Sequence, residues 1–314
     1  MAAESTRGDL ERSGSGWSRR DFIKRSGVAA GLLALPGVVA CGKTESGGGG
    51  GGGAGGHLAQ LKRQGTITVG IAGEEPYDYL EGGKLTGMDP EVQKVIWKNV
   101  GIDTVKSRQV DFDGLIPGLV ARRFDVVAAG MFIIPDRCKQ ASFSDPMYCA
   151  PNAFIVPKGN PKNITDFKSV ADAGIKVAVF GGAIEGIYAE KAGVKKSDVV
   201  EVSSGRDGLL QVKQGRVGAF GLTTITLNNI LKKNPSSGVE LTKPFTPVVG
   251  GKEQHGCGGA VFRKDDNELR MAFNAQLKKL KDSGQLLKII QPFGFGPETL
   301  PPADITTASL CQGT

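Results

Sequence analysis

Four short stretches put aromatic side chains beside charged ones where loops are expected. They are Glu74-Glu75-Pro76-Tyr77, Phe112, the run from Gly130 through Phe132 to Arg137, and Gly181-Gly182-Ala183-Ile184-Glu185. Between them they supply π-faces, a guanidinium, carboxylates and backbone N–H groups, the materials of a binding site. They do not supply a reaction. The chain has no G-x-S-x-G elbow, no H-E-x-x-H and no Walker motif, so no catalytic residue is assigned. Its two histidines, His57 and His255, lie far apart in sequence, which argues against a two-histidine zinc site; no metal and no cofactor are expected. Taken singly, these residues have plainer readings. Phe112 and Phe132 read more readily as core aromatics, and Arg137 as a surface residue or structural ion pair. Glu185 reads as a carboxylate favouring a helix N-terminus, and Gly181-Gly182 as a tight turn.

The surrounding pattern says what holds them. Thr66–Ala72 is a β-branched run, predicted as a strand that delivers Glu74 and Tyr77 at its end. Asp89–Val100 carries Val92, Val95, Ile96 and Val100 at helical spacing. Phe112–Arg122 is predicted as a helix and Phe124–Ala129 as a buried strand leading to Phe132. Further strands are expected at Ala153–Val156, Ile175–Phe180, Val217–Leu222 and Ala260–Arg263, with helices at Ile184–Ala192, Asp207–Gln214 and Asn267–Ser283. This alternation predicts an α/β fold with parallel sheets. One device occurs twice: the helix in Gly114–Arg123 followed by Phe124-Asp125-Val126-Val127, and Gly208–Gly215 followed by Val217–Phe220. Two α/β units are therefore expected, with strand ends facing one another across a cleft.

The N-terminus reads as an address. Ser18-Arg19-Arg20-Asp21-Phe22 precedes an apolar stretch from Val28 to Ala40, too short for a spanning helix of about 20 residues, and matches a twin-arginine signal peptide over residues 1–40. Val38-Val39-Ala40-Cys41 resembles a lipobox, which makes Cys41 the expected lipid anchor to the membrane. Residues 41–56, with seven consecutive glycines from Gly47 to Gly53, are read as a flexible tether. Removing residues 1–40 lowers the net charge from +7 to +5, and no basic stripe with interleaved aromatics remains, so no nucleic-acid partner is expected. Cys138, Cys149, Cys257 and Cys311 suggest two disulfides outside the cytoplasm, with all three pairings open.

Several motifs then carry a family likeness. They are Gly87-Met88-Asp89-Pro90-Glu91-Val92, Asp111–Leu119, Phe143-Ser144-Asp145-Pro146-Met147-Tyr148, and Ser283-Gly284-Gln285-Leu286 with Phe293-Gly294. Residues 58–314 resemble bacterial extracellular solute-binding proteins of the amino-acid-binding type, the capture subunits of ABC importers. Pro135-Asp136-Arg137-Cys138, Cys149, Cys257 and Cys311 look most like the ectoine/hydroxyectoine-binding subgroup. The resemblance implies a two-lobed periplasmic-binding-protein fold with a two-strand hinge. Lobe one would be residues 57–149 and 223–314, and lobe two residues 150–222. It further implies a monomer that closes on a small zwitterionic solute and is read by a membrane permease. By position, Tyr77, Phe112 and Phe132 would form an aromatic cage, Arg137 a carboxylate clamp, and Glu74 the partner of a cationic ring, with Gly182 and Glu185 closing from lobe two. Phe220-Gly221-Leu222-Thr223-Thr224 lacks the aspartate that amino-acid binders of the family use for an α-ammonium, and Ile184 replaces a polar threonine of the subgroup. A binder of a polar or cationic amino acid and a dehydratase-like enzyme on the same scaffold are the alternatives.

Overall fold

The structure is a computed structural model that describes residues 56–235 and 238–313. The expected signal peptide, the anchor Cys41 and all but the last residue of the expected tether lie outside the described residues. Two five-stranded sheets form the centres of two lobes. In chain order their strands are β1 (Thr66–Ile71), β2 (Thr104–Gln109), β3 (Val126–Val127), β4 (Ser142–Phe143), β5 (Asn152–Pro157), β6 (Val177–Phe180), β7 (Val199–Val202), β8 (Ala219–Thr223), β9 (Val239–Leu241) and β10 (Val261–Phe262). The first sheet has the order β2-β1-β3-β10-β4 and the second β7-β6-β8-β5-β9. Neither is purely parallel as the alternation suggested. In the first, β10 runs antiparallel to β3 and β4; in the second, β5 runs antiparallel to β8 and β9. The reversals arise where the chain enters and leaves the second lobe.

The repeated helix–strand device has a packing basis in both lobes. Gly118, in helix Leu115–Val120, and Gly70, in β1, make room for the ring of Phe124; a Cβ on either would sit 2.8 or 2.5 Å from it. In lobe two, Gly208 in helix Gly205–Lys213 faces Phe220 of β8 in the same way, at 2.5 Å. On the outer face of the first sheet, Trp97 of helix Met88–Val100 meets Phe262 and Phe273, the latter from helix Asn267–Asp282. In that first helix Val92 and Ile96 are buried as expected, whereas Val95 and Val100 are only partly so.

The hinge differs from its expected course. The chain leaves lobe one at Ala150-Pro151, and the second sheet does not end at 222. Thr223 both closes β8 and caps helix Thr224–Lys233, and β9 then pairs with β5. Phe245 stacks on Phe154 at 5.2 Å and exchanges backbone hydrogen bonds with Asn152. Lobe two therefore extends to about residue 245, and the return crossing runs through 246–256. The two crossings are held side by side: the Ala150 N–H donates to the Gly256 carbonyl at 2.8 Å, and Cys149 is disulfide-bonded to Cys257. The second disulfide joins Cys138 to Cys311 and fastens the C-terminal helix Thr307–Gln312 to helix Pro135–Gln140. Among the described residues no helix is long and apolar enough to cross a membrane.

His57 opens the first described helix, His57–Gln64, and locks it to the body of lobe one. Its ring lies 3.2 Å from Asp125 and 3.0 Å from Asp266, and Arg263 pairs with Asp266 at 2.5 Å. Hydrogen bonds to Asp125 and then Asp266 raise the imidazole pKa from 6.5 to about 9. The folded state thus holds the proton more tightly than the unfolded chain. The stabilisation is complete below pH 6.5 and is lost as pH rises through 9. After allowance for screening of a partly exposed ring it amounts to about 1–2 kcal/mol. Urea melts of wild type and His57→Gln are expected to differ by this amount at pH 6 and to converge at pH 9.5. An equal gap at both pH values contradicts the linkage.

Candidate ligand-binding site

Each loop that carries a candidate residue begins at the carboxyl end of a strand, where α/β sheets place their ligands. After β1 the chain turns sharply, with the N–H groups of Tyr77 and Asp78 both donating to the Glu74 carbonyl. The buried Asp78 carboxylate accepts from the N–H groups of Ala72 and Gly73 and so fastens the turn at its base. Burial holds its pKa well above the usual carboxylate range. The Gly87-Met88-Asp89 motif braces the same loop from behind. Met88 and Asp89 donate backbone hydrogen bonds to the carbonyls of Pro76 and Tyr77, and the Asp89 carboxylate accepts from the Gly130 N–H at 3.0 Å. Burial raises the Asp89 pKa to about 6. Gly87, at φ +119°, has no room for a side chain: a Cβ would lie 2.5 Å from the Tyr77 carbonyl. This motif therefore supports the Tyr77 and Phe132 loops and does not itself reach the cavity.

These loops meet around a small cavity between the lobes. Glu74, Tyr77, Phe112, Phe132, Arg137 and Glu185 all line it. Arg137 is 8% exposed. Its guanidinium carbon sits 5.2 Å from the centroid of Phe112, and its terminal nitrogens donate to the carbonyls of Phe132 and Gly182, each at 3.0 Å. Burial lowers its pKa to about 10, opposed by the negative charge of Glu185, so it remains cationic at neutral pH. Glu185 is buried in the first turn of helix Ile184–Lys191 and accepts from the Asn152 amide at 2.7 Å; burial raises its pKa. Burial likewise pushes Glu74 up to about 7, against a lowering hydrogen bond from Thr226.

Gly182 stands apart from this group. It does not line the cavity, and its contribution is a carbonyl directed at Arg137 rather than an N–H directed at an anion. At φ +72° its would-be Cβ lies 2.7 Å from Asp113, so the lobes approach here too closely for any side chain. The structure also adds residues that were not singled out. Tyr148 packs against Tyr77 and Phe132 with centroids 5.2 and 6.1 Å away, and its hydroxyl donates to the Gly130 carbonyl. Phe180, Ala183, Ile184, Leu222 and Thr223 complete the lobe-two wall. Phe180 ends β6 immediately before Gly181-Gly182, a position the strand-end rule already marks. Ala183 and Ile184 belong to the Gly181–Glu185 stretch, and Leu222 and Thr223 to the segment without an aspartate, but nothing in the sequence marks any of the four as a contact residue.

The profile of the family described as bacterial extracellular solute-binding proteins, family 3, matches residues 67–297. The chain belongs to this family. As a family-3 solute-binding protein it is a non-enzymatic transport binding protein, and the dehydratase-like alternative is set aside. It is similar to a probable amino-acid ABC transporter periplasmic-binding protein of Sinorhizobium fredii, at 33% identity over 81% of this chain and 86% of the relative. It is also similar to the arginine-binding extracellular protein ArtP of Bacillus subtilis, at 29% identity over 80% and 90%. Among solved structures, EhuB in complex with hydroxyectoine matches with a TM-score of 0.76 and 35% identity, covering 82% of this chain and 98% of that one.

In this solute-binding protein three glycines back the aromatic wall. A Cβ on Gly130 would lie 2.3 Å from the Tyr77 ring, on Gly256 2.4 Å from the Phe132 ring, and on Gly258 2.5 Å from the Tyr148 ring. Gly256 is also confined by the Ala150 carbonyl at 2.9 Å, which belongs to the backbone and does not yield easily. Gly256→Ala is expected to displace Phe132 and to lower stability by about 1–3 kcal/mol. Urea melts together with near-UV circular dichroism read both effects. A variant with wild-type stability and an unchanged aromatic spectrum contradicts this account of the wall.

Proposed function

We propose that the protein captures ectoine-type compatible solutes outside the cytoplasm and delivers them to an ABC permease. The observation that carries the reading is the combination inside one cavity of aromatic faces, a buried arginine and buried carboxylates. Tyr77, Phe112 and Phe132 offer π-faces to a delocalised amidinium, a diffuse cation that suits aromatic faces. Arg137 is the clamp for the ligand carboxylate, with its fork pre-set by the carbonyls of Phe132 and Gly182. Glu74 faces the cationic ring. Glu185 closes from lobe two, and Gly182 acts through Arg137. Leu222 and Thr223 line the wall, and the segment Phe220–Thr224 to which they belong has no aspartate of the kind that amino-acid binders of the family use for an α-ammonium. The likeness to the hydroxyectoine complex supports the same choice.

The same reading includes twin-arginine export, attachment to the membrane through an acylated Cys41, and action as a monomer on the end of the glycine tether. A second reading, a binder of a polar or cationic amino acid, draws on Glu74 and Glu185 as two acidic walls and on the likeness to ArtP. Calorimetric titration separates the two. Hydroxyectoine and ectoine are expected to bind and L-arginine not to compete. Heat with arginine alone selects the second reading, and silence from all three at millimolar concentration contradicts both. Phe132→Ala is expected to weaken hydroxyectoine binding between about 2- and 30-fold. Unchanged affinity in that variant contradicts the cage.

A further inference from the structure

A chain of hydroxyl groups crosses the cleft beside the ligand cavity. The Tyr77 hydroxyl donates to Thr223 Oγ1 at 3.2 Å, Thr223 Oγ1 donates to Thr226 Oγ1 at 3.4 Å, and Thr226 Oγ1 donates to Glu74 Oε1 at 2.6 Å. The chain starts and ends in one loop of lobe one, three residues apart. Its two middle members belong to lobe two, at the end of β8 and in the first turn of helix Thr224–Lys233. Tyr77, Thr223 and Thr226 are all buried. Each hydroxyl carries one proton, so the direction of the chain is fixed by its last acceptor, the Glu74 carboxylate. Thr226 does not line the ligand cavity. It borders a neighbouring one with Glu75, Asn229 and Lys233, so its route to a ligand is through Glu74.

We propose that Thr226, relayed through Thr223, is a positioning residue that holds one oxygen of Glu74 and leaves the other for a cationic N–H group of the ligand. This rests on the reading of the cavity as the solute site. A hydrogen bond to an ionised carboxylate is roughly twice as strong as one to a neutral group. The Thr226 bond therefore couples two events. Lobe two in its closed position favours ionised Glu74, and ionised Glu74 favours lobe two closed, by equal factors. Other groups around Glu74 oppose this. Burial, the charge of Glu185 and the nearby Asp78 carboxyl all disfavour a second negative charge. Tyr77 and Tyr148 face the carboxyl as neutral phenols, Arg137 shares the cavity, and Glu75 next door is paired with Lys233. Without the Thr226 proton, Glu74 would be protonated through more of the neutral pH range and would present a poorer partner to a cation.

The test has two arms in the full-length protein. In the ligand-free arm, the Glu74 carboxyl is titrated by carbon-13 NMR, assigned with Glu74→Gln, in wild type, Thr226→Val and Thr226→Ser. Thr226→Val is expected to move the Glu74 midpoint further upward, and Thr226→Ser to restore it. In the second arm, hydroxyectoine titrations at pH 7 are expected to give about tenfold weaker binding for Thr226→Val and near wild-type binding for Thr226→Ser. An unchanged Glu74 midpoint in Thr226→Val overturns the proposal. If Thr226→Val does not fold, Thr226→Ala carries the same readout. Absence of hydroxyectoine binding to wild type with the midpoint shift intact overturns the ligand assignment and upholds the relay.

Discussion

The arrangement turns on one buried cation. Moving a guanidinium out of water costs several kcal/mol unless its donors and charge find partners. Arg137 finds them on both sides of the cleft: the Phe132 carbonyl and the Phe112 ring in lobe one, the Gly182 carbonyl and the charge of Glu185 in lobe two. Neither lobe satisfies it alone. The side chain proposed as the ligand's carboxylate clamp is thus also a tie between the lobes, and separating them would exchange the Gly182 carbonyl for water.

Much of lobe one serves to keep that cation and its aromatic neighbours in register. Three of the four disulfide cysteines sit next to a residue of the site or its backing: Cys138 follows Arg137, Cys149 follows Tyr148, and Cys257 lies between Gly256 and Gly258. The disulfide from Cys138 to Cys311 holds the short arginine-bearing helix, which has only six residues and little stability of its own. The disulfide from Cys149 to Cys257 holds the two hinge segments together, and the glycines flanking Cys257 admit the rings of Phe132 and Tyr148. Asp78 and Asp89, buried behind the wall, fasten the loops through backbone N–H groups. The cavity is therefore backed by covalent links and buried polar contacts, as a site that must recognise a small ligand without rearranging its first lobe requires.

Elements whose burial matches their periodicity were legible in the sequence. The strand at Thr66 and the helices beginning near Met88 and Asn267 fall within a residue or two of expectation, because each has one apolar face and clear glycine punctuation. Thr104–Gln109 gives no such signal: it is an edge strand with mostly polar residues, so it has neither an apolar run nor clean alternation. Helix Thr224–Lys233 carries no start signal because Thr223 ends a strand and caps the helix in the same step, leaving no turn residue to mark the join. The unmarked join is why the second sheet extends some twenty residues beyond the expected lobe boundary. In the site, the charged and aromatic residues of strand-end loops were found through their chemistry. Tyr148 was hidden because it stands on a two-residue strand, Tyr148–Cys149, that pairs with Cys257-Gly258 outside both main sheets. The hydroxyl relay left no trace at all, since its threonines read as ordinary strand and helix residues.

A capture protein of this kind works by making contacts in the closed state that the open state lacks. Here those contacts converge on Arg137 from one side of the cavity and on Glu74 from the other, with aromatic faces between. The most direct measurement is a crystal structure of the protein grown with hydroxyectoine. The account predicts ring density enclosed by Tyr77, Phe112 and Phe132, with the ligand carboxylate on Arg137 and the amidinium turned towards Glu74. Ligand density outside this cavity, or a carboxylate held by groups other than Arg137, would contradict it.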